Sequence, residues 1–316
     1  MRLLLTGGTG FVGHAVLDAL LAEGHRVRVL ARRPLTVRDT GPAGGESPPE
    51  VAAGNILDPP SLEKAMAGLE GVVHLVGIIS EAGSATFENV HTQGTANVVE
   101  AARKSGATRF VHMSALGTRP GAVSRYHRTK WAAEEYIRNS GLAWTIFRPS
   151  LIYGPEDHFV NLFARIARYS PIVPVLGSGQ ARFQPIDVAS VASAFARATT
   201  CPQAVGQCFD LCGPDRLTLR QIIEETLAAL GRRRLLVTVP GPLAQLQAGI
   251  LRVLVAGLLR KPPPLNRDQL IMLNEDTQGN PRPANQLFGL APPGFRAGIR
   301  AYLGRSHSTP PPRAAA

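Results

Sequence analysis

Charge is sparse in this chain of 316 residues, with Asp, Glu, Lys and Arg at 18% and hydrophobic residues at 44%. That balance excludes a disordered chain and suits a folded one, long enough for one large or two medium domains. Cysteine is nearly absent. Cys201, Cys208 and Cys212 cannot make a disulfide framework and suit a reducing compartment. They are crowded, but no histidine lies near them in sequence and "GQCFDLCG" reads as a strand, so small packed side chains are expected rather than a metal site. A secretion signal is lacking too, because the apolar run of "MRLLLTGG" is short and meets glycines at once; a cytoplasmic address is expected.

Acidic residues are the scarcer sign: 23 Asp and Glu stand against 34 Lys and Arg, a formal net charge of +11. From Arg216 to Ala316 there are 14 Lys and Arg and 5 Asp and Glu, which puts +9 in that stretch. No basic run is interleaved with aromatics and no nucleic-acid motif appears, so nucleic acid is not an expected partner. An anionic membrane surface, at the inner face of a membrane, or an acidic protein partner fits the excess better; a solvated arginine-rich surface is the plain alternative. Long apolar runs are also few. One, Leu243–Leu259, is apolar on nearly all faces and is followed by Arg260 and Lys261. It is short of the roughly 20 residues a span needs and carries Arg252 in its middle, so a buried or partner-covered helix, an interfacial helix and a span are all open.

What is present begins with rhythm. "RLLLT", "RVRVLA", "GVVHLVG", "RFVHMS" and "AWTIFRP" read as buried strands. Between them, "FVGHAVLDALLAEG", "SLEKAMAGL", "QGTANVVEAARKSG" and "RTKWAAEEYIRNSG" have helical spacing and glycine stops. This alternation predicts an α/β fold with a doubly wound parallel sheet of the Rossmann kind over residues 1–153. Residues 154–305 loosen into a smaller α+β region interleaved with the first, and 306–316 read as a disordered tail. Pro34–Glu50, rich in Pro, Gly and Ser, reads as a long loop.

Two motifs carry chemistry. "TGGTGFVG" puts Gly7, Gly10 and Gly13 between the first strand and the first helix, where backbone can approach a pyrophosphate and the helix N-terminus offers N–H donors; Thr9, Phe11 and Val12 complete the loop. The second strand ends in Ala31, Arg32 and Arg33, without the carboxylate that binds the ribose hydroxyls of NAD, and two guanidiniums match a 2′-phosphate. NADP(H) is therefore favoured over NAD(H). Farther on, Tyr126 and Lys130 lie four apart on one helix face. An ammonium there is expected to lower the phenol pKa from about 10 toward neutrality, making a general acid–base beside a nicotinamide.

With these motifs the chain resembles the short-chain dehydrogenase/reductase superfamily in its extended branch, alongside the NAD-dependent epimerases and dehydratases. "GNILDPPSL", "VVHLVG", "VHTQGTANVVEAA", "RFVHMSALG", "YHRTK", "FRPSLIYGP" and "FQPIDVA" follow the glycine loop in family order. "HLVGII", "HMSALG" and "PPPLNRDQLIMLNED" narrow the likeness to the atypical subgroup that holds the NADPH-binding accessory subunit of respiratory complex I. The resemblance implies that Gly7, Gly10 and Gly13 hold the pyrophosphate and that Asn55 and Ile56 flank the adenine. It puts Leu75, Val76 and Gly77 along the ribose, Lys130 on the nicotinamide ribose, and Pro149 and Ser150 near the carboxamide. It also exposes departures. The position of the family's active-site Ser or Thr falls on Ala115, with Ser114 one residue off as a reserve candidate, and that of its structural Asn falls on His91. Two expectations follow. One is a cofactor bound mainly for structure, assembly or quinone-related function near a membrane, with weak or no turnover. The other is an active oxidoreductase, epimerase or dehydratase using Tyr126 and Lys130 on a hydrophobic, quinone-like or nucleotide-sugar substrate.

Overall fold

A computed structural model describes residues 1–33, 48–239 and 267–304. Seven strands form one sheet: β1 (Arg2–Thr6), β2 (Arg26–Ala31), β3 (Glu50–Ala53), β4 (Gly71–His74), β5 (Arg109–Met113), β6 (Ala143–Pro149) and β7 (Gln207–Leu211). Their spatial order is β7-β6-β5-β4-β1-β2-β3, and every neighbouring pair is parallel. This is the doubly wound Rossmann arrangement. The order reverses between β1 and β4, so loops leaving those strands diverge and open a crevice at the carboxyl edge.

Both faces of the sheet are covered, which is why its strands are continuous apolar runs rather than alternating ones. On one face, α1 (Phe11–Ala22) packs with Leu3, Leu5, Val29 and Val73. The other face carries α2 (Pro59–Met66), α3 (Gly94–Lys104) and α4 (Arg125–Arg138) over Leu4, Val72, Phe110 and Ile146. Farther along come α5 (Val160–Tyr169), α6 (Val188–Ala198), α7 (Leu219–Ala229), α8 (Arg267–Leu273), α9 (Arg282–Phe288) and α10 (Phe295–Leu303). Of these, α6 and α9 return to the first face through Phe195 and Phe288. A third cluster joins α5, α7 and α10 around Tyr153, Phe163, Ile222 and Phe295.

Three features differ from the sequence expectation. β3 lies where a loop was expected to end; "EVAA" is a short, mostly exposed edge strand with no apolar run to announce it. A π-helical turn, Glu88–Gln93, precedes α3 without a break. Of the cysteines only Cys212 is packed inside; Cys201 is half-buried and Cys208 exposed, all three are free, and the described residues hold no cluster of metal-ligating side chains. Most of the Pro34–Glu50 loop, the Leu243–Leu259 segment and the 306–316 tail lie outside the described residues.

Candidate cofactor-binding and active site

The glycine loop is held by contacts that exclude side chains. Gly7 has φ +78°, and its carbonyl accepts from Gly10 N at 3.2 Å. A Cβ on Gly7 would lie 3.1 Å from backbone atoms of Leu75 and Val76, and one on Gly13 only 2.1 Å from the Gly7 carbonyl oxygen. The first turn of α1 thus presses on the end of β1, and β1 on the loop after β4. Gly10 caps α1 without a side-chain hydrogen bond, and no acidic residue sits in the first turn. Backbone N–H groups and the positive end of the helix dipole face the crevice.

The other predicted positions gather at the same edge. Thr9 is exposed, while Phe11 and Val12 are half-buried at the mouth of α1. Arg32 and Arg33 stand exposed just past β2. Beyond β3, the Asn55 side-chain oxygen accepts from Leu57 N at 3.1 Å, and the carbonyl of buried Ile56 accepts from Asn97 Nδ2 at 2.9 Å. Leu75, Val76 and Gly77 leave β4, with Leu75 N donating to the Thr6 carbonyl at 3.0 Å. Pro149 and Ser150 end β6, and the Ser150 hydroxyl accepts from Gln184 N at 3.2 Å. Six parallel strands bring residues from across 150 positions of sequence to one rim.

α4 delivers the tyrosine and lysine. Its first turn is fixed twice: Ser124 Oγ accepts from His127 N at 3.1 Å, and Asp268 of α8 accepts from Arg125 N at 3.1 Å and Tyr126 N at 3.2 Å. Lys130 is 2% exposed. Its Nζ donates to the carbonyls of Met113 at 3.0 Å and Val76 at 3.5 Å. A Cβ on Gly77 would be 3.1 Å from that nitrogen, so the ammonium lies directly beneath the loop after β4. Burial lowers the Lys130 pKa to about 8, opposed by the Glu134 carboxylate. The Tyr126 ring is held edge-on by Phe87, His91 and His127, with centroids 5.9, 5.1 and 5.3 Å away. Its phenol departs from the sequence expectation: burial pushes it up to about 12 instead of Lys130 drawing it down. The ammonium bonds two backbone carbonyls, so the phenolate gains too little to offset its lost hydration.

The altered positions have their own geometry. His91 Nε2 accepts from Ile78 N at 3.0 Å, so Nδ1 carries the proton and donates to Thr129 Oγ1 at 2.9 Å. Burial first, then the Lys130 charge, lower its pKa to about 2, and the ring is neutral. His91 is a strut between the loop after β4 and α4. Ala115 is half-buried past β5 and brings no hydroxyl. Ser114 is buried, its N donating to the Phe147 carbonyl at 2.7 Å and its Oγ 3.4 Å from Thr118 Oγ1.

Several neighbours gave no signal in sequence. His74 and His112 are fully buried and stack at 5.3 Å, His74 bonding Thr6 Oγ1 at 2.6 Å and Thr95 Oγ1 at 3.0 Å. Burial depresses both pKa values, His74's to about 3, so they form a neutral floor under Lys130. Glu275 lies 3.4 Å from Arg119 and 3.6 Å from His127 Nδ1. With Asp268 it fastens the segment around α8 to the start of α4.

Comparison with known proteins places this geometry. The profile of the NAD dependent epimerase/dehydratase family matches residues 3–212. The chain belongs to that family. It is 36% identical over 196 residues to a ceramide reductase of Caulobacter vibrioides, a match covering 61% of this chain and 60% of that protein. It is 28% identical over 280 residues to the mitochondrial NADH dehydrogenase (ubiquinone) 1 alpha subcomplex subunit 9 of Arabidopsis thaliana, covering 86% of this chain and 69% of that one. In fold it resembles a dTDP-glucose 4,6-dehydratase of Streptomyces venezuelae solved with NAD, with a TM-score of 0.74 at 21% identity over 97% of each chain. The chain is thus an extended short-chain dehydrogenase/reductase, related to a complex I subunit and to reductases.

The residues fit the family's dinucleotide. The backbone N–H groups of the Gly7–Gly13 cradle would hold the pyrophosphate, Ile56 and Leu75 are buried apolar side chains at the same edge, and Lys130 would hold a ribose hydroxyl. Bound there, the nicotinamide supplies a hydride acceptor or donor. What the chain adds beside it is a buried cation, a protonated phenol on the same helix face, and aromatic rings packed edge-on against that phenol.

Proposed function

We propose that the chain binds NADP(H) at this loop and slowly reduces the carbonyl of a hydrophobic substrate. The observation that carries this is the Tyr126–Lys130 pair, with Lys130 buried against the loop after β4 although burial disfavours its charge. A phenol pushed up to about 12 is protonated at neutral pH, which suits a group that donates its proton to a developing alkoxide. Arg32 and Arg33, in place of an acidic residue, support the phosphorylated cofactor. Phe87 beside Tyr126, and the exposed Ile79 and Val123 nearby in sequence, favour an apolar substrate over a sugar. The ceramide reductase likeness points the same way.

A second reading has its own support. With Ala115 in the loop after β5, one transition-state hydrogen bond is missing, a loss of about 100- to 1000-fold in rate. A cofactor held chiefly for structure, as a part of a larger assembly, accords with that deficit and with the complex I subunit likeness. One experiment separates the two. NADPH oxidation is followed with a panel of long-chain ketones and 3-oxoacyl esters in wild type, Tyr126→Phe and Ala115→Ser. The reductase reading expects measurable decay, its loss in Tyr126→Phe with NADPH affinity within a few fold, and a gain of at least about tenfold in Ala115→Ser. Stable NADPH in wild type and Ala115→Ser alike would refute turnover and leave the structural cofactor.

A further inference from the structure

Outside the seven-stranded sheet, residues Ile172–Leu176 and Leu235–Val239 form a two-stranded parallel ribbon, with Leu235 opposite Ile172 and Val237 opposite Pro174. Its inner positions behave as expected, Val173 and Val175 being fully buried against α5 and α7. Its outer positions do not. Solvent faces of ribbons are ordinarily polar, yet here Ile172 and Pro174 on one strand and Leu235, Val237 and Val239 on the other make up that face, while Leu176 packs partly against the third cluster. Ile172 is 46% exposed, Leu235 63% and Val237 40%, and Tyr169, at the end of α5 beside them, is 86% exposed.

The segments that carry this apolar face hold one sign of charge. Arg165 and Arg168 are exposed on α5, and Arg232 and Arg233 are exposed immediately before Leu235. Arg234 anchors that run to the helix end by donating to the Ala167 carbonyl at 2.8 Å. Neither 160–176 nor 229–239 contains an Asp or Glu. No helix among the described residues is long and apolar enough to cross a membrane. An apolar strip a few residues wide, an aromatic ring next to it in sequence and four exposed guanidiniums on the same segments match a surface that dips into the headgroup region of an anionic bilayer.

We propose that this ribbon is the chain's docking face for an anionic lipid bilayer, independent of the cofactor crevice. Complementary charge selects the bilayer over an apolar protein partner, which would leave the arginines unmatched. The test uses the full chain and vesicles of phosphatidylcholine alone or with 30% phosphatidylserine, at low and high salt, with wild type, Arg168→Glu/Arg232→Glu/Arg233→Glu and Leu235→Ser/Val237→Ser; NADPH affinity serves as the folding control. Expected are binding to the anionic vesicles only, release by salt, and a loss of at least about tenfold in each variant with NADPH affinity unchanged. Wild type that ignores anionic vesicles, or variants that bind as wild type does, would overturn the proposal. So would a concentration-dependent dimer abolished by Leu235→Ser/Val237→Ser, which would make the face a contact between two copies.

Discussion

Replacing Lys130 by Met should stabilise the protein without cofactor and abolish its response to cofactor. The ammonium is 2% exposed, and burial lowers its pKa from 10.5 to about 8. At 1.36 kcal/mol per tenfold, keeping it charged at neutral pH costs about 3 kcal/mol. Against that stand its bonds to the Met113 and Val76 carbonyls, whose removal leaves two buried acceptors short and costs about 1–2 kcal/mol. Methionine fills nearly the same volume, so the variant should gain about 1–2 kcal/mol, a few degrees in melting temperature. Wild type should be raised by about 2.7 kcal/mol when NADPH is present at a hundred times its Kd, and the variant far less at the same concentration. The pH dependence has a definite sign. A native pKa below the unfolded one means that the unfolded chain binds more protons between about pH 8 and 10.5, so this group's contribution rises with pH there. Apo wild type should therefore gain on the variant between pH 8 and 9.5 in denaturant titrations. A variant less stable than wild type at pH 7, or a constant difference across that window, would refute the reasoning.

Two further outcomes follow from the loop. Gly13→Ala puts a Cβ 2.1 Å from the Gly7 carbonyl oxygen, so the first turn of α1 must move; a loss of at least about 2 kcal/mol and of NADPH binding is expected, and a change under 1 kcal/mol in urea unfolding would show that the turn yields. Arg32→Ala with Arg33→Ala should lower NADPH affinity by about 10- to 100-fold and leave NADH affinity nearly unchanged in fluorescence titration; a retained preference refutes the role of both arginines.

The fold was legible where burial writes itself into composition. β1, β2, β4, β5 and β6 are buried on both faces, so their apolar runs stand out, and the glycine loop is recognisable because Gly7 and Gly13 meet backbone where a Cβ would sit. β3 was not legible, since an edge strand of "EVAA" buries too little to be patterned. The Tyr126–Lys130 spacing was legible, but the state of the phenol was not. That depends on where the Lys130 nitrogen points, and the Met113 and Val76 carbonyls reach it from two other elements. Likewise, nothing in "VHTQG" announces that His91 ties Ile78 to Thr129, nor in "NRDQL" that Asp268 caps the helix bearing Tyr126. Contacts between residues 38 or 142 positions apart leave no local pattern.

The site's residues differ in what their presence implies. Gly7 and Gly13 are needed by the fold itself: a Cβ at either strikes backbone, so a protein with no ligand at this loop would require them equally. Arg32 and Arg33 are exposed and cost the fold little, and the same holds for Thr9. His91 and Thr129 satisfy one another and hold α4 to the loop after β4, a structural return that needs no ligand. Lys130 is different. It is a cation over a floor of neutral histidines, and burial lowers its pKa to about 8, so the fold without ligand disfavours its charge. A residue that the apo fold disfavours, set beneath a loop with no room for a side chain, makes physical sense when a polar ligand supplies the missing hydrogen bonds. The buried lysine, more than the glycines, therefore argues that the crevice is built to be filled. The half-buried tyrosine on the same helix face, protonated and with an aromatic ring on each side, argues that what fills it is presented to a proton donor.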